Sequence, residues 1–199
     1  MIILGLTGSI GMGKSTAAKM LKIMGVPIHD SDHAVHKALA PGGEAFEEVA
    51  AAFPAAWDSK NRIIDRGKLG ALIFADAEAK RKLEAILHPA AQRSQLDFIR
   101  AMERKGKAIV CLDIPLLFET GAEARMDYTI CVTAPPAIQK RRVMKRPGMS
   151  AEKFDAIVQS QMPDAEKQAR ADYVVETGKG YSHAFFRLWK ILKEIKKKG

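Results

Sequence analysis

A chain of 199 residues with 47% hydrophobic and 28% charged side chains is long enough for one substantial core with appendages, short for two independent domains, and unlike a disordered chain. Two cysteines, each inside an apolar run, argue against a disulfide framework or metal cluster, and no apolar run approaches the roughly 18–20 residues that span a bilayer. The formal net charge of +9 favours polyanionic partners, although part of it sits in a C-terminal run (Lys193, Lys196, Lys197, Lys198) that reads as solvated.

The chain opens on an apolar run, Met1 to Thr7, too short and lacking the basic start of a signal peptide, so a soluble, unprocessed, cytoplasmic protein is expected. Gly8-Ser9-Ile10-Gly11-Met12-Gly13-Lys14-Ser15 follows, a complete G-x-x-x-x-G-K-[ST] phosphate-binding loop, and Thr16 to Met24 continues it as a helix. Strand, loop and helix stand in the order this motif requires. Its glycines allow consecutive N–H groups to converge on phosphate oxygens at the positive end of the helix. Lys14 is placed to reach the β- and γ-phosphates, and the Ser15 hydroxyl to hold Mg²⁺. The chain is therefore expected to bind a nucleoside triphosphate.

Gly25 to Asp30 reads as a turn and a short second strand that delivers Asp30-Ser31-Asp32 to the carboxyl edge, where open α/β sheets bind ligands. From His33 to Arg104 the pattern is predominantly helical, with breaks at Pro41-Gly42-Gly43, Pro54, Asn61 and His88-Pro89; one helix ends at Leu87 and the next runs from Ala90. So long an interval exceeds a simple crossover and suggests an inserted substrate wall. Ala108 to Asp113 and Tyr128 to Val132 read as buried strands, Asp172 to Val175 as a fifth, and Tyr181 to Lys198 as a final helix with Trp189 and Leu192 against the sheet. Between them lies a Lys/Arg-rich helix through Arg146, a break at Pro147-Gly148, and Ser150 as a cap for the next helix. Strands alternating with helices predict a doubly wound, mainly parallel five-stranded α/β sheet with a helical insertion and a small lid.

Asp30 and Asp32 share one side if the strand extends that far, and either supply a base for an attacking hydroxyl, Asp32 being preferred, or include a cap for the following helix. Asp113 ends a buried strand where a Mg²⁺-contacting acid is expected, or else orders the Ile114-Pro115 turn. Gln139, Arg142 and Arg146, spaced by three and four, face one way on a helix and suit a lid that neutralises phosphoryl charge; a solvated basic face is the alternative. Phe53, Trp57 and Phe74 read first as core residues.

Together, Leu6 to Thr16, Asp30-Ser31-Asp32, Leu87-His88-Pro89, Asp113-Ile114-Pro115-Leu116-Leu117-Phe118-Glu119, Gln139 with Arg142 and Arg146, and Gln161 before Ala171-Asp172 resemble the dephospho-coenzyme A kinase family, in family order across nearly the whole chain. The resemblance implies a P-loop kinase that transfers the γ-phosphoryl group of ATP, with Mg²⁺, to the ribose 3′-hydroxyl of dephospho-coenzyme A. It implies Asp32, Lys14 and Arg142 as catalytic residues. Gly11, Met12, Gly13, Lys14, Ser15, Thr16, Arg142 and Arg146 are implied on ATP; Asp32, His88, Pro89 and Leu116 on the acceptor; Ser15 and Asp113 on the metal. A core of 1–32, 107–138 and 170–199, an acceptor region of 33–106 and a lid of 139–169 are expected, with small-molecule partners and neither nucleic acid nor membrane.

Ser31 stands where the family commonly has Ala, and Thr177-Gly178 where it has Asn before glycine, which bears on the adenine contacts of that loop. The competing expectations are a P-loop kinase for another small acceptor, against which the insertion and Leu87-His88-Pro89 speak, and a nucleic-acid-binding or switch NTPase, which no RNA-binding aromatic signature or G-domain motif supports.

Overall fold

The computed structural model describes residues 1–198. In chain order the elements are β1 (Ile2–Thr7), α1 (Lys14–Ile23), β2 (Ile28–Asp30), α2 (Ser31–Ala38), α3 (Phe46–Ala52), a 3₁₀ turn (Pro54–Ala56), β3 (Trp57–Asp58), β4 (Ile63–Ile64), α4 (Arg66–Ala75) and α5 (Ala77–Arg104). There follow β5 (Ile109–Asp113), a second 3₁₀ turn (Ala122–Arg125), β6 (Tyr128–Thr133), α6 (Pro136–Met144), α7 (Ala151–Ser160), α8 (Asp164–Arg170), β7 (Tyr173–Glu176) and α9 (Tyr181–Lys198). They form two compact units, one of Met1–His29 with Met102 onward, the other of Asp30–Ala101.

The first unit is built on a five-stranded sheet in the order β2-β5-β1-β6-β7. β1 pairs in parallel with β5 on one side (Leu4 opposite Cys111) and β6 on the other (Leu6 opposite Ile130), and β6 with β7. Successive strands thus leave β1 in opposite directions, which opens a crevice beyond its carboxyl end, where α/β sheets hold ligands. The near-continuous apolar strands are sealed on one face by α1 and α9, through Met20 and Leu21 of the one and Leu188, Ile191, Leu192 and Ile195 of the other. On α9 these four take the buried stripe at helical spacing. Trp189, about 100° around from Leu188, is therefore 38% exposed instead of packing on the sheet as expected; it stacks on Phe186 beneath the Lys193 ammonium.

The second unit has its own core of Leu39, Phe46, Val49, Phe53, Ile64, Leu69, Leu83 and Leu87. It is not wholly helical, since β3 and β4 pair as a small antiparallel hairpin. The predicted break at His88-Pro89 is absent. α5 runs through Pro89, because Leu83, Leu87 and Ala90 bury one stripe on both sides of it, and that packing offsets the roughly 3 kcal/mol an internal proline costs. Phe74, read as core, is 77% exposed near the end of α4, whereas Phe53 is buried and Trp57 packs edge-on against Phe46.

Cys111 and Cys131 are both buried and free. Burial, reinforced by the nearby Asp164 carboxylate, pushes the Cys131 thiol up to about 12, and burial followed by the Asp113 charge pushes Cys111 higher still. The native state therefore keeps both protons above pH ~8.5, where the unfolded chain releases them, and stability falls as pH rises past that point. Urea midpoints measured between pH 8 and 10 should drop for the natural chain, and less for a Cys111→Ala/Cys131→Ala variant.

Candidate active site

The phosphate loop joins β1 to α1 in the conformation its glycines permit. Gly11 and Gly13 have φ of 76° and 95°, left-handed values that cost other residues strain. A Cβ on Gly11 would lie 2.5 Å from Val143 Cγ2, and one on Gly13 2.8 Å from Thr177 Oγ1, so the loop is also packed too closely for a side chain there. The Met12 N–H turns back to Ser9 C=O (3.1 Å), whereas the N–H groups of Gly11, Gly13, Lys14 and Ser15 make no hydrogen bond among the described residues. Four such donors, interrupted by Met12, stand at the N-terminus of α1, where backbone N–H groups and the helix dipole favour an anion.

Lys14, expected on the phosphates, and Asp113, expected either at Mg²⁺ or ordering the Ile114-Pro115 turn, meet directly. Lys14 Nζ lies 2.6 Å from Asp113 Oδ1, with the carboxylate buried at the end of β5. Ser15 and Thr16, in the first turn of α1, are exposed, and neither hydroxyl makes a hydrogen bond among the described residues. The Ser15 hydroxyl and the Asp113 carboxylate are hard oxygen donors of the kind Mg²⁺ accepts when phosphates and water supply the rest of its shell.

Gln139 and Arg142, three apart on α6, both turn to the loop. Gln139 Nε2 donates to Ile10 C=O (2.9 Å). The Arg142 guanidinium donates to Gly11 C=O (3.3 Å), to Thr177 Oγ1 (2.8 Å) and to Thr177 C=O (2.9 Å). Arg146 lies beyond α6, in the turn after it, and is exposed. Leu116 is half-buried in the segment that leaves β5, where Thr7 Oγ1 donates to the neighbouring Pro115 C=O (2.9 Å).

Of the two readings left open for Asp30 and Asp32, an extended pair or a helix cap, the structure shows the cap. β2 ends at Asp30, so Asp32 is the second residue of α2 and the two carboxylates do not alternate along a strand. Asp30 is the cap, its Oδ1 accepting from the His33 N–H (2.9 Å), while Asp32 is exposed in the first turn with no side-chain hydrogen bond among the described residues. His88 and Pro89 are exposed side by side on α5.

Sequence reasoning did not find the tie made by Thr177. Its hydroxyl proton is shared between Met12 C=O (2.7 Å) and Thr133 C=O (3.2 Å), and its oxygen accepts from Arg142, so this side chain ties the loop to β6 and α6. The available signal was its place directly after the last strand, at the carboxyl edge of the sheet.

A phosphate loop on the central strand of a parallel sheet, with a lysine, a strand-end acid and arginine-bearing helices around it, makes this chain a nucleotide-binding protein of the P-loop kinase class. The family model described as dephospho-CoA kinase matches residues 2–182. A dephospho-CoA kinase from Mesorhizobium japonicum is 47% identical over 196 residues, covering 98% of each chain. Among solved structures, a Thermus thermophilus protein superposes with a TM-score of 0.86 at 38% identity, covering 97% of this chain and 96% of that one. The dephospho-CoA kinase from Campylobacter jejuni gives 0.72 at 29% identity, covering 98% of each. This chain belongs to the dephospho-CoA kinase family.

Proposed function

We propose that the protein transfers the γ-phosphoryl group of ATP to the ribose 3′-hydroxyl of dephospho-coenzyme A, giving coenzyme A and ADP, the final step of coenzyme A biosynthesis. The observation that carries this reading is the near full-length match to relatives bearing that name, 98% of both chains at 47% identity. The work of the residues follows from phosphoryl-transfer chemistry. The N–H groups of Gly11, Gly13, Lys14 and Ser15, with Met12 and Thr16 bordering them, receive the β- and γ-phosphates. Lys14 exchanges its Asp113 contact for phosphate oxygen and, with Arg142 and Arg146, offsets charge that builds on the transferring group. Asp32 accepts the proton of the 3′-hydroxyl as its oxygen bonds to the γ-phosphorus; the bond from that phosphorus to the β–γ bridging oxygen breaks, and ADP leaves with the electron pair. His88, Pro89 and Leu116 border the acceptor.

Ser15 and Asp113 would hold Mg²⁺, which when bound supplies neutralisation of phosphate charge. The region 33–106 serves the acceptor and 139–169 acts as the lid that excludes water, so that ATP is not simply hydrolysed. Both substrates are polyanions, which gives the net charge of +9 a use without a nucleic-acid or membrane partner, in the cytoplasm.

The test is Mg²⁺-dependent ADP formation with dephospho-coenzyme A, set against no acceptor, shikimate and nucleoside monophosphates, with product masses determined. Coenzyme A appearing only with dephospho-coenzyme A is expected. ADP formed equally well without an acceptor would overturn the assignment.

A further inference from the structure

Ile10, at the tip of the phosphate loop, is gripped at both of its peptide groups by two glutamines of opposite polarity. Gln139, buried on α6, donates its Nε2 to Ile10 C=O (2.9 Å); Gln161, the residue that ends α7, accepts the Ile10 N–H on its Oε1 (3.0 Å). A trans peptide points its C=O and the following N–H in opposite directions. By drawing Ile10 C=O toward α6, Gln139 turns the Gly11 N–H the other way, and Gly11 is one of the four loop residues whose N–H makes no hydrogen bond among the described residues. Gln161 does the same for the preceding peptide, whose Ser9 C=O is taken by the Met12 N–H (3.1 Å).

Gln161 is itself anchored. The next residue, Met162, donates its N–H to Glu119 Oε1 (3.0 Å), and that oxygen lies 2.7 Å from the fully buried Lys167 ammonium. Lys167 Nζ also donates to Pro115 C=O (3.3 Å), the oxygen that receives the Thr7 hydroxyl just before the loop. The circuit therefore closes, from Thr7 through Pro115, Lys167, Glu119 and Met162 to Gln161 and back to Ile10.

We propose that Gln139 and Gln161 are positioning residues for nucleotide binding, which orient the Gly11 N–H for phosphate and tie the segment carrying Arg142 and Arg146 to the loop tip. This rests on the reading that Gly8 to Ser15 holds the triphosphate. Both Gln→Ala variants should bind ADP about tenfold more weakly, the loss of one oriented hydrogen bond, and the KM for ATP should rise while that for the acceptor stays within about twofold.

The polarity makes the test specific. Gln161→Glu keeps an acceptor for the Ile10 N–H, whereas Gln139→Glu sets a carboxylate against the Ile10 carbonyl. Both add one negative charge, so their difference isolates the hydrogen bond. Calorimetric titration with ADP should find Gln139→Glu at least about tenfold weaker than Gln161→Glu. Hydrogen exchange adds a second measurement: the Ile10 amide should lose protection in Gln161→Ala, with the strands unchanged. Equal affinities for the two Glu variants, Ala variants that bind like the natural chain, or an Ile10 amide still protected in Gln161→Ala would overturn the proposal. Failure of the natural chain to bind ADP would instead strike the phosphate-loop reading.

Discussion

Asp32→Asn is expected to lower kcat by about two to four orders of magnitude, the usual contribution of a positioned general base, while the affinity for ATP stays within about twofold of the natural chain's. The separation follows from where the residue stands. Asp32 is exposed in the first turn of α2, with no side-chain hydrogen bond among the described residues, and the capping of that helix belongs to Asp30. Removing its charge forfeits only its interaction with the helix N-terminus, about 0.3–1 kcal/mol. A loss of turnover therefore cannot be assigned to unfolding. Steady-state kinetics with dephospho-coenzyme A, alongside calorimetric ATP binding and a melting curve, decide the matter: a kcat near that of the natural chain removes Asp32 from the role of base.

Lys14→Met should cost activity on a similar scale, about 10²–10³ in kcat as for other single donors to developing charge, but with a different companion effect. Lys14 Nζ is 2.6 Å from a carboxylate whose side chain is only 7% exposed, so the substitution also removes a cation that compensates Asp113. A destabilisation on the order of 1–3 kcal/mol is expected. Adding Asp113→Asn should return most of that stability, because an amide needs no counter-charge, and should return none of the activity. Urea denaturation and ADP release measured on the single and double variants separate the two functions of the lysine. If the double variant recovers turnover, Lys14 acts by holding Asp113 and not by contacting phosphate.

How much of this was legible beforehand depended on distance along the chain. The phosphate loop, the apolar strands at Ile109–Asp113 and Tyr128–Thr133, the Ser150 cap and the five-strand alternation are local patterns of consecutive residues or helical period, and each lies where the pattern put it. Local rules misled where packing outweighed them. Pro89 lies within α5 because Leu83, Leu87 and Ala90 hold the helix on both sides. Trp189 stands off the sheet because four aliphatic neighbours already occupy the buried stripe. At Asp30 and Asp32 it is the local cap, the alternative to the extended pair, that the structure shows, ending the strand at Asp30.

Consecutive residues carried the family: the Gly8 to Ser15 motif reads as a phosphate loop, and the resemblance in Leu87-His88-Pro89 and Asp113 to Glu119 points to the dephospho-CoA kinase family, to which the chain belongs. What holds that loop in shape comes from contacts between segments far apart in the chain. Thr177 meets Met12 across 165 positions and Gln161 meets Ile10 across 151, contacts to which no periodicity or spacing corresponds. They exist because a parallel sheet brings the carboxyl ends of strands distant in sequence to one edge, where each loop's unpaired backbone groups must find partners in another loop.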